Sequence, residues 1–253
     1  MLNITAIMKL PENEEECQGL SIAFATASGN IRRNRLMDFV RVQANGKIAM
    51  KLDDGDKLVN VALCDDNNDI MLATKQGKCI RFPVADLRVF VGRNSTGVRG
   101  IKLAKGDTVI SMSILKHITA NADEREEYLK ISSAMKRIDA ETGEVSCISP
   151  DQTGLMNLLN EEKFAQMQAL EEFILTVTVT GYGKRSSSYE YRVTGRGGQG
   201  IANMEMSPRN KEVVSSFPIE DDKEIMMVTD GGKLIRMPVD DIRVAGRKTQ
   251  GVI

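Results

Sequence analysis

The chain has 253 residues, with 34 Lys and Arg set against 35 Asp and Glu for a net charge of −1, four cysteines, one histidine and no tryptophan. Cys17, Cys64, Cys79 and Cys147 never form a C-x-x-C pair and His117 stands alone, which argues against a zinc site. Aromatic residues at 4% leave few platforms for stacking single-stranded bases. The absence of a signal-like N-terminus and of any run near the ~20 apolar residues of a span predicts a cytoplasmic protein with no membrane contact.

Ile4-Thr5-Ala6-Ile7-Met8 has the pattern of a strand closing a preceding unit. A short apolar run then ends in Thr26-Ala27-Ser28-Gly29-Asn30, and the signature recurs at Thr74-Lys75-Gln76-Gly77-Lys78, Thr180-Gly181-Tyr182-Gly183-Lys184 and Thr229-Asp230-Gly231-Gly232-Lys233. In each unit a strand (22–26, 70–74, 174–180, 225–229) meets a glycine three places after Thr, which supplies the positive φ of a tight hairpin. Return strands carry Ile31-Arg32-Arg33, Cys79-Ile80-Arg81-Phe82, Lys184-Arg185 and Leu234-Ile235-Arg236-Met237, two of them ended by Pro83 and Pro238.

A glycine-bounded loop follows at 92–97, 195–200 and 246–251, and more loosely at 41–46. A third strand is expected at 47–52, 98–103 and 201–206, and a fourth at 58–63 and 108–112, past the turns Gly55-Asp56 and Gly106-Asp107. Consecutive threonines stand 48, 106 and 49 residues apart, and four strands in each such period is the arithmetic of a propeller blade. Because the chain stops at Gly251-Val252-Ile253, where a third strand begins, the array is expected to continue past both ends.

The long middle gap divides the chain into blades at 1–116, an insertion at 117–172 and further blades at 173–253, forming one domain overall. Residues 122–138 and 154–171 are rich in helix-favouring Glu, Lys, Ala, Leu and Met, with Asp151-Gln152-Thr153 as the expected second helix start. Leu155, Leu158, Leu159, Phe164, Met167 and Leu170 supply its apolar stripe. Residues 117–172 hold five basic and twelve acidic side chains, a balance of −7, so the remainder carries +6. The near-neutral total thus conceals basic repeats beside an acidic insertion.

Gly195-Arg196-Gly197-Gly198-Gln199-Gly200 matches G-x-G-x-x-G, but a dinucleotide fingerprint must open a helix and the following residues read as a strand. Tyr182, Tyr189 and Tyr191 have no base or metal motif beside them, His117 reads as a surface or packing residue, and the acidic pairs Asp53-Asp54, Asp65-Asp66, Asp221-Asp222 and Asp240-Asp241 sit at turns. Neither a catalytic nor a metal site is expected. The recurrent cations stand apart from this background. Arg33, Arg81 and Arg236 fall seven places after Thr, Arg88 and Arg243 fourteen, and Arg93, Arg196 and Arg247 four before the closing loop glycine. A single Lys or Arg is as readily a solvated face, whereas recurrence around a ring predicts a basic perimeter that follows duplex phosphates without reading sequence.

Gly92-Arg93-Asn94-Ser95-Thr96-Gly97-Val98-Arg99-Gly100-Ile101, Gly181-Tyr182-Gly183-Lys184-Arg185 and Val244-Ala245-Gly246-Arg247-Lys248-Thr249-Gln250-Gly251-Val252-Ile253 resemble the C-terminal domain of the bacterial DNA gyrase A subunit. The likeness runs through all the repeats and omits the insertion. It implies an all-β β-pinwheel, a propeller-like array of four-stranded blades that exchange strands, here with a helical insertion. It also implies a non-catalytic module that binds and wraps double-stranded DNA, supporting ATP-dependent negative supercoiling by a holoenzyme. Its partners would be the gyrase B subunit together with the remainder of gyrase A; ATP and Mg belong to that holoenzyme, and no cofactor to this chain. Carried over by position, the DNA-binding residues are Arg32, Arg33, Arg81, Arg93, Arg99, Lys184, Arg185, Arg196, Arg236 and Arg247. The family's Gln-Arg-Arg-Gly-Gly-Lys-Gly box survives in degenerate form as Arg196, Gly197, Gly198 and Gly200. The equivalent domain of topoisomerase IV, and a propeller-like protein-interaction scaffold docking through the insertion, remain open alternatives.

Overall fold

Short β-branched and apolar runs closed by Thr-x-x-Gly fold as hairpins, and a computed structural model describes residues 4–41, 46–138 and 145–253. A one-turn helix α1 (Glu14–Cys17) precedes β1 (Ser21–Thr26), β2 (Asn30–Arg35) and β3 (Leu58–Cys64). The second unit supplies β4 (Asn68–Thr74), β5 (Lys78–Pro83), β6 (Val98–Arg99) and β7 (Val109–Lys116). The insertion holds α2 (Ala122–Met135), β8 (Lys136–Ile138), β9 (Val145–Cys147) and α3 (Glu161–Leu170). The repeats resume with β10 (Phe173–Thr178), β11 (Gly183–Ser187), β12 (Ile201–Ala202), β13 (Val213–Ile219), β14 (Glu224–Val228) and β15 (Leu234–Pro238).

Three sheets show how the units are joined. Their orders are β3-β1-β2-β6, β7-β4-β5-β12 and β13-β10-β11, while β14 and β15 form a hairpin. The outermost strand of each four-stranded sheet therefore comes from the following unit: β6 pairs with β2, and β12 with β5. Val252 repeats the pattern by bridging to Gly183 of β11. At the opposite edge β3, β7 and β13 lie side by side, with Asn60 Nδ2 donating to the Met112 carbonyl at 2.8 Å. The exchanged strands thus lie on the outer edge of the array.

Exchange also explains why the expected third strands are shorter than their apolar pattern. After two paired residues the chain turns inward: the Gly100 N–H bonds to the Gly29 carbonyl and the Asn203 N–H to that of Gly77. Ile101 then enters the core at 2% exposure. Residues 46–52 and 4–10 carry no strand, which corrects two further expectations, and residues 42–45 of the expected 41–46 loop lie outside the described residues.

The third turn falls two residues earlier than the sequence signature places it. Gly29, Gly77, Gly181 and Gly232 all have positive φ (+86°, +77°, +86° and +77°), and each donates its N–H to a threonine carbonyl three residues back. For Gly181 that threonine is Thr178; Gly183 lies within β11. Counted from Thr178, Arg185 takes the seventh place and Arg192 the fourteenth.

The core is shared between units. Ala23, Ala25 and Ile31 pack with Ile70, Leu72, Ile80 and Phe82 of the next unit, and Met71, Ala73 and Cys79 with Ile174 and Tyr191 of the one after. Each fully buried Ile, Leu or Phe contributes about 1.5–3 kcal/mol, so hydrophobic burial binds neighbouring units into one body. The insertion has its own small core of Ile118, Tyr128, Ile131, Leu159, Phe164 and Met167, seated on Tyr189. Its second helix begins at Asn160, whose side chain accepts the Lys163 N–H at 2.8 Å. Asp151-Gln152-Thr153 forms a separate short turn ended by Gly154 at φ +68°.

The closing glycine of each loop sits against the preceding unit's return strand. A Cβ on Gly200 would overlap the Cys79 carbonyl, whereas nothing lies within 4 Å of one on Gly55, and both have positive φ. Gly55→Ala is therefore expected to lose about 1–2 kcal/mol for the left-handed backbone alone, and Gly200→Ala clearly more, in urea unfolding. Equal losses would remove close approach as the reason for glycine at 200.

Candidate nucleic-acid interface

A guanidinium can be buried at tolerable cost only when its N–H groups are satisfied. The arginines seven places after Thr meet that condition by binding the short helical turn of the following unit. Arg33 donates to the Val84 and Leu87 carbonyls at 3.1 and 3.4 Å and pairs with Asp66. Arg81 donates to the Ser188 and Lys116 carbonyls at 2.7 and 3.0 Å, and its Nε reaches the buried Asp69 carboxylate at 2.7 Å. His117 Nδ1 lies 2.7 Å from the other Asp69 oxygen. Arg185 donates to the Ile242 carbonyl at 2.8 Å and pairs with Asp221.

These three arginines are 5%, 3% and 6% exposed, and Arg32 and Lys184 are 0% and 1% exposed. All five belong to the expected DNA-binding set, and burial removes them from the surface: the recurrence that suggested a perimeter is here a set of staples between units. Lys184 Nζ donates to the Gly246 and Arg247 carbonyls, and burial lowers its pKa to about 8. Arg236, the fourth in the series, is exposed and pairs with Glu224.

The surface cations occupy the same seams from outside. Residues 89, 193 and 244 bridge in parallel to Arg33, Arg81 and Arg185. Immediately before them stand Arg88, Arg192 and Arg243, all exposed. Each seam then continues into its loop arginine: Arg93 and Arg247 are half-buried, and Arg196 is exposed and donates to the Arg99 carbonyl at 3.2 Å. Arg99 is itself exposed on the outer strand β6. Glu190-Tyr191-Arg192 parallels Asp86-Leu87-Arg88 and Asp241-Ile242-Arg243, and counting from Thr178 rather than Thr180 puts Arg192 at the same fourteenth place.

The degenerate box Arg196, Gly197, Gly198 and Gly200 leads directly into β12, as the strand reading required. Beside it, α2 and the second and third seams border an open groove of about 1000 Å³, lined by Arg125, Lys130, Arg192, Arg247 and Lys248 and also by Glu126 and Glu190. The acidic insertion thus brings Arg125 beside the seams, while its Lys130 is paired with Glu126 of the same helix at 2.7 Å. Tyr189 and Tyr191 are buried and bonded to the Met167 carbonyl and Asn203, which are packing roles. Cys64 and Cys79 are buried, and desolvation raises their thiols to about 11 and about 12. No helix among the described residues is long and apolar enough to cross a membrane.

Sheets laced by an outer strand from the next unit define a propeller-like β-protein with strand-exchanged blades. The sequence matches the family described as DNA gyrase C-terminal domain, β-propeller, over residues 20–65, 68–116, 172–220 and 223–253. The chain belongs to that family, with the insertion falling between matched stretches. It is 52% identical to the DNA gyrase A protein of Granulibacter bethesdensis, over 98% of this chain and 27% of that protein. The DNA gyrase A proteins of Rickettsia bellii and Escherichia coli are 49% and 34% identical, over 99% of this chain and 27% and 22% of theirs. The chain thus spans between 22% and 27% of the length of these relatives. Among solved structures, the C-terminal domain of DNA topoisomerase IV aligns with a TM-score of 0.66 at 18% identity, over 93% of this chain and 57% of that one. The DNA gyrase A C-terminal domain aligns with a TM-score of 0.64 at 20% identity, over 92% and 60%.

Two measurements separate staple from surface. Arg81→Met leaves Asp69 buried without its arginine and is expected to lose about 3–5 kcal/mol in urea unfolding, whereas Arg236→Met should lose no more than about 1 kcal/mol. Similar losses would contradict the staple. For Lys184, the folded pKa lies below the unfolded one, so between about pH 8 and 10.5 the unfolded chain holds the extra proton and stability rises with pH. Wild type is expected to gain on Lys184→Met between pH 7.5 and 9.5, by up to about 1.4 kcal/mol per pH unit above 8; a constant difference would sink this account.

Proposed function

We propose that this chain is the DNA-wrapping part of a gyrase A protein, in which successive seams seat the phosphates of one duplex. The observation that carries the reading is the repetition of exposed Arg88, Arg192 and Arg243 at equivalent places on three consecutive seams. Cations repeated at equivalent places on successive units suit a curved polyanion, and each phosphate neutralised releases counterions. Arg93, Arg99, Arg196 and Arg247 extend the track, and Arg125 and Lys130 of the insertion flank it. Few side chains here are set to read base edges, which favours sequence-tolerant binding.

The chain would act without catalysis of its own, presenting wrapped duplex to gyrase B as well as to the rest of gyrase A, in a holoenzyme where ATP and Mg would drive negative supercoiling. The gyrase reading is preferred to topoisomerase IV because the sequence relatives are gyrase A proteins, while the likeness to topoisomerase IV is one of fold.

The test is duplex binding as a function of salt. Replacing Arg88, Arg192 and Arg243 together with Gln is expected to flatten the slope of log K against log salt by about 0.9 for each phosphate no longer neutralised, equally for unrelated sequences. Undiminished binding by the triple variant, folded as judged by unchanged Tm, would refute the seam assignment.

A further inference from the structure

The first seam buries cations whose hydrogen-bonding demand the chain leaves partly unmet. Arg32 is 0% exposed; its Nε donates to Asn34 at 2.8 Å and its Nη1 to the carbonyl and hydroxyl of Ser95 at 2.6 and 2.9 Å. Its Nη2 is buried with no partner, and so is Nη1 of Arg93, two residues before Ser95. These two nitrogens are the only buried side-chain donors of a charged group left unbonded among the described residues. A third guanidinium joins them through Phe90, whose ring lies 4.9 Å from Cζ of Arg32 and 4.3 Å from Cζ of exposed Arg88. No carboxylate is ion-paired with any of the three among the described residues.

Like charges crowded into a desolvated site repel, and burial followed by the charge of Arg93 holds the Arg32 guanidinium below its usual pKa. The equivalent pair on the third seam is Lys184 and Arg247. There the lysine is bonded to the Gly246 and Arg247 carbonyls, Arg247 is bonded to the Glu190 and Ala202 carbonyls, and the Glu190 charge supports Lys184. On the second seam Ile80 replaces the inner cation altogether. Only the first seam therefore pairs clustered positive charge with spare donors, and a buried charged donor left without a partner within the chain calls for an acceptor from outside it.

We propose that Arg32 and Arg93, with Arg88 at the entrance, form a seat for a single tetrahedral oxyanion of the phosphate class. Arg93 is half-buried with one nitrogen inside, near enough for its charge to act on Arg32. Nη2 of Arg32 and Nη1 of Arg93 are each a spare charged donor of the kind that phosphate oxygens accept in short, strong hydrogen bonds. The oxyanion can be a duplex phosphodiester or free inorganic phosphate; the first source rests on the DNA reading above, and the seat itself does not.

The experiment compares the full 253-residue chain with Arg93→Gln and, as seam control, Arg247→Gln. Tm is measured with inorganic phosphate replacing chloride at equal ionic strength, alongside the salt slope of duplex binding. A seat raises the wild-type Tm in phosphate, because a ligand of the folded state stabilises it; Arg93→Gln abolishes the rise and Arg247→Gln keeps it. A phosphodiester occupant adds a fall of about 0.9 in the salt slope for Arg93→Gln. The seat is overturned if phosphate gives no rise beyond chloride, or if the rise survives Arg93→Gln, and duplex binding can persist in either case. A phosphate rise lost in Arg93→Gln without any duplex binding supports the seat and overturns the DNA reading.

Discussion

The buried arginine of the return strand is the constraint on which the rest of the structure depends. A guanidinium taken out of water must find an acceptor for each N–H, and one hairpin cannot provide them. Its own blade gives Arg33 the Ser21 hydroxyl and Arg81 the Asp69 carboxylate; the next unit supplies the backbone carbonyls. The acceptors lie on short turns held just before the segment that crosses the return strand, and the crossing segment in turn delivers the exchanged outer strand. Polar satisfaction and strand exchange are therefore one event, and the glycine that ends each loop permits the close approach that both require.

The same geometry sorts the positive charge. Residues 89, 193 and 244 sit against the buried arginines, so the residue before each one is thrown to the outside. One seam then holds a structural cation within and a solvent-facing cation without, a few residues apart in sequence and opposite in role. The insertion leaves this pattern intact. It carries its own core and touches the repeats through Tyr189 and Glu172, whose carboxylate accepts the Lys116 N–H at 2.8 Å. Its acidic balance is set by an element that packs beside the seams and contributes Arg125 and Lys130 to the groove between them.

Much of the fold was legible in the chain. The Thr-x-x-Gly turns at Thr26, Thr74 and Thr229, the Gly-Asp turns at 55–56 and 106–107 and α2 all follow from local backbone chemistry, which neighbouring residues decide. The third turn was misplaced because Thr178-Val179-Thr180 offers two threonines, each followed three places on by a glycine, and both satisfy the local signature. Only pairing chooses between them: Val177 opposite Gly183 leaves Gly181 at the bend. The candidate site was half legible. The loop arginines Arg93, Arg196 and Arg247 and the outer Arg99 lie on the seams, while Arg32, Arg33, Arg81, Lys184 and Arg185 carry the same charge but lie inside.

What the sequence determined by itself was the period, the hairpins, the acid-base segregation and the places where a cation recurs. These depend on residue type and spacing, which a single chain displays. Tertiary structure alone decided which recurrent cation is buried and which faces solvent, because burial depends on carbonyl groups 51 to 107 residues away, as the Arg33–Val84 and Arg81–Ser188 bonds show. A positive charge in a linear sequence has no inside or outside; the next unit supplies that distinction when its turn closes over one arginine and exposes another.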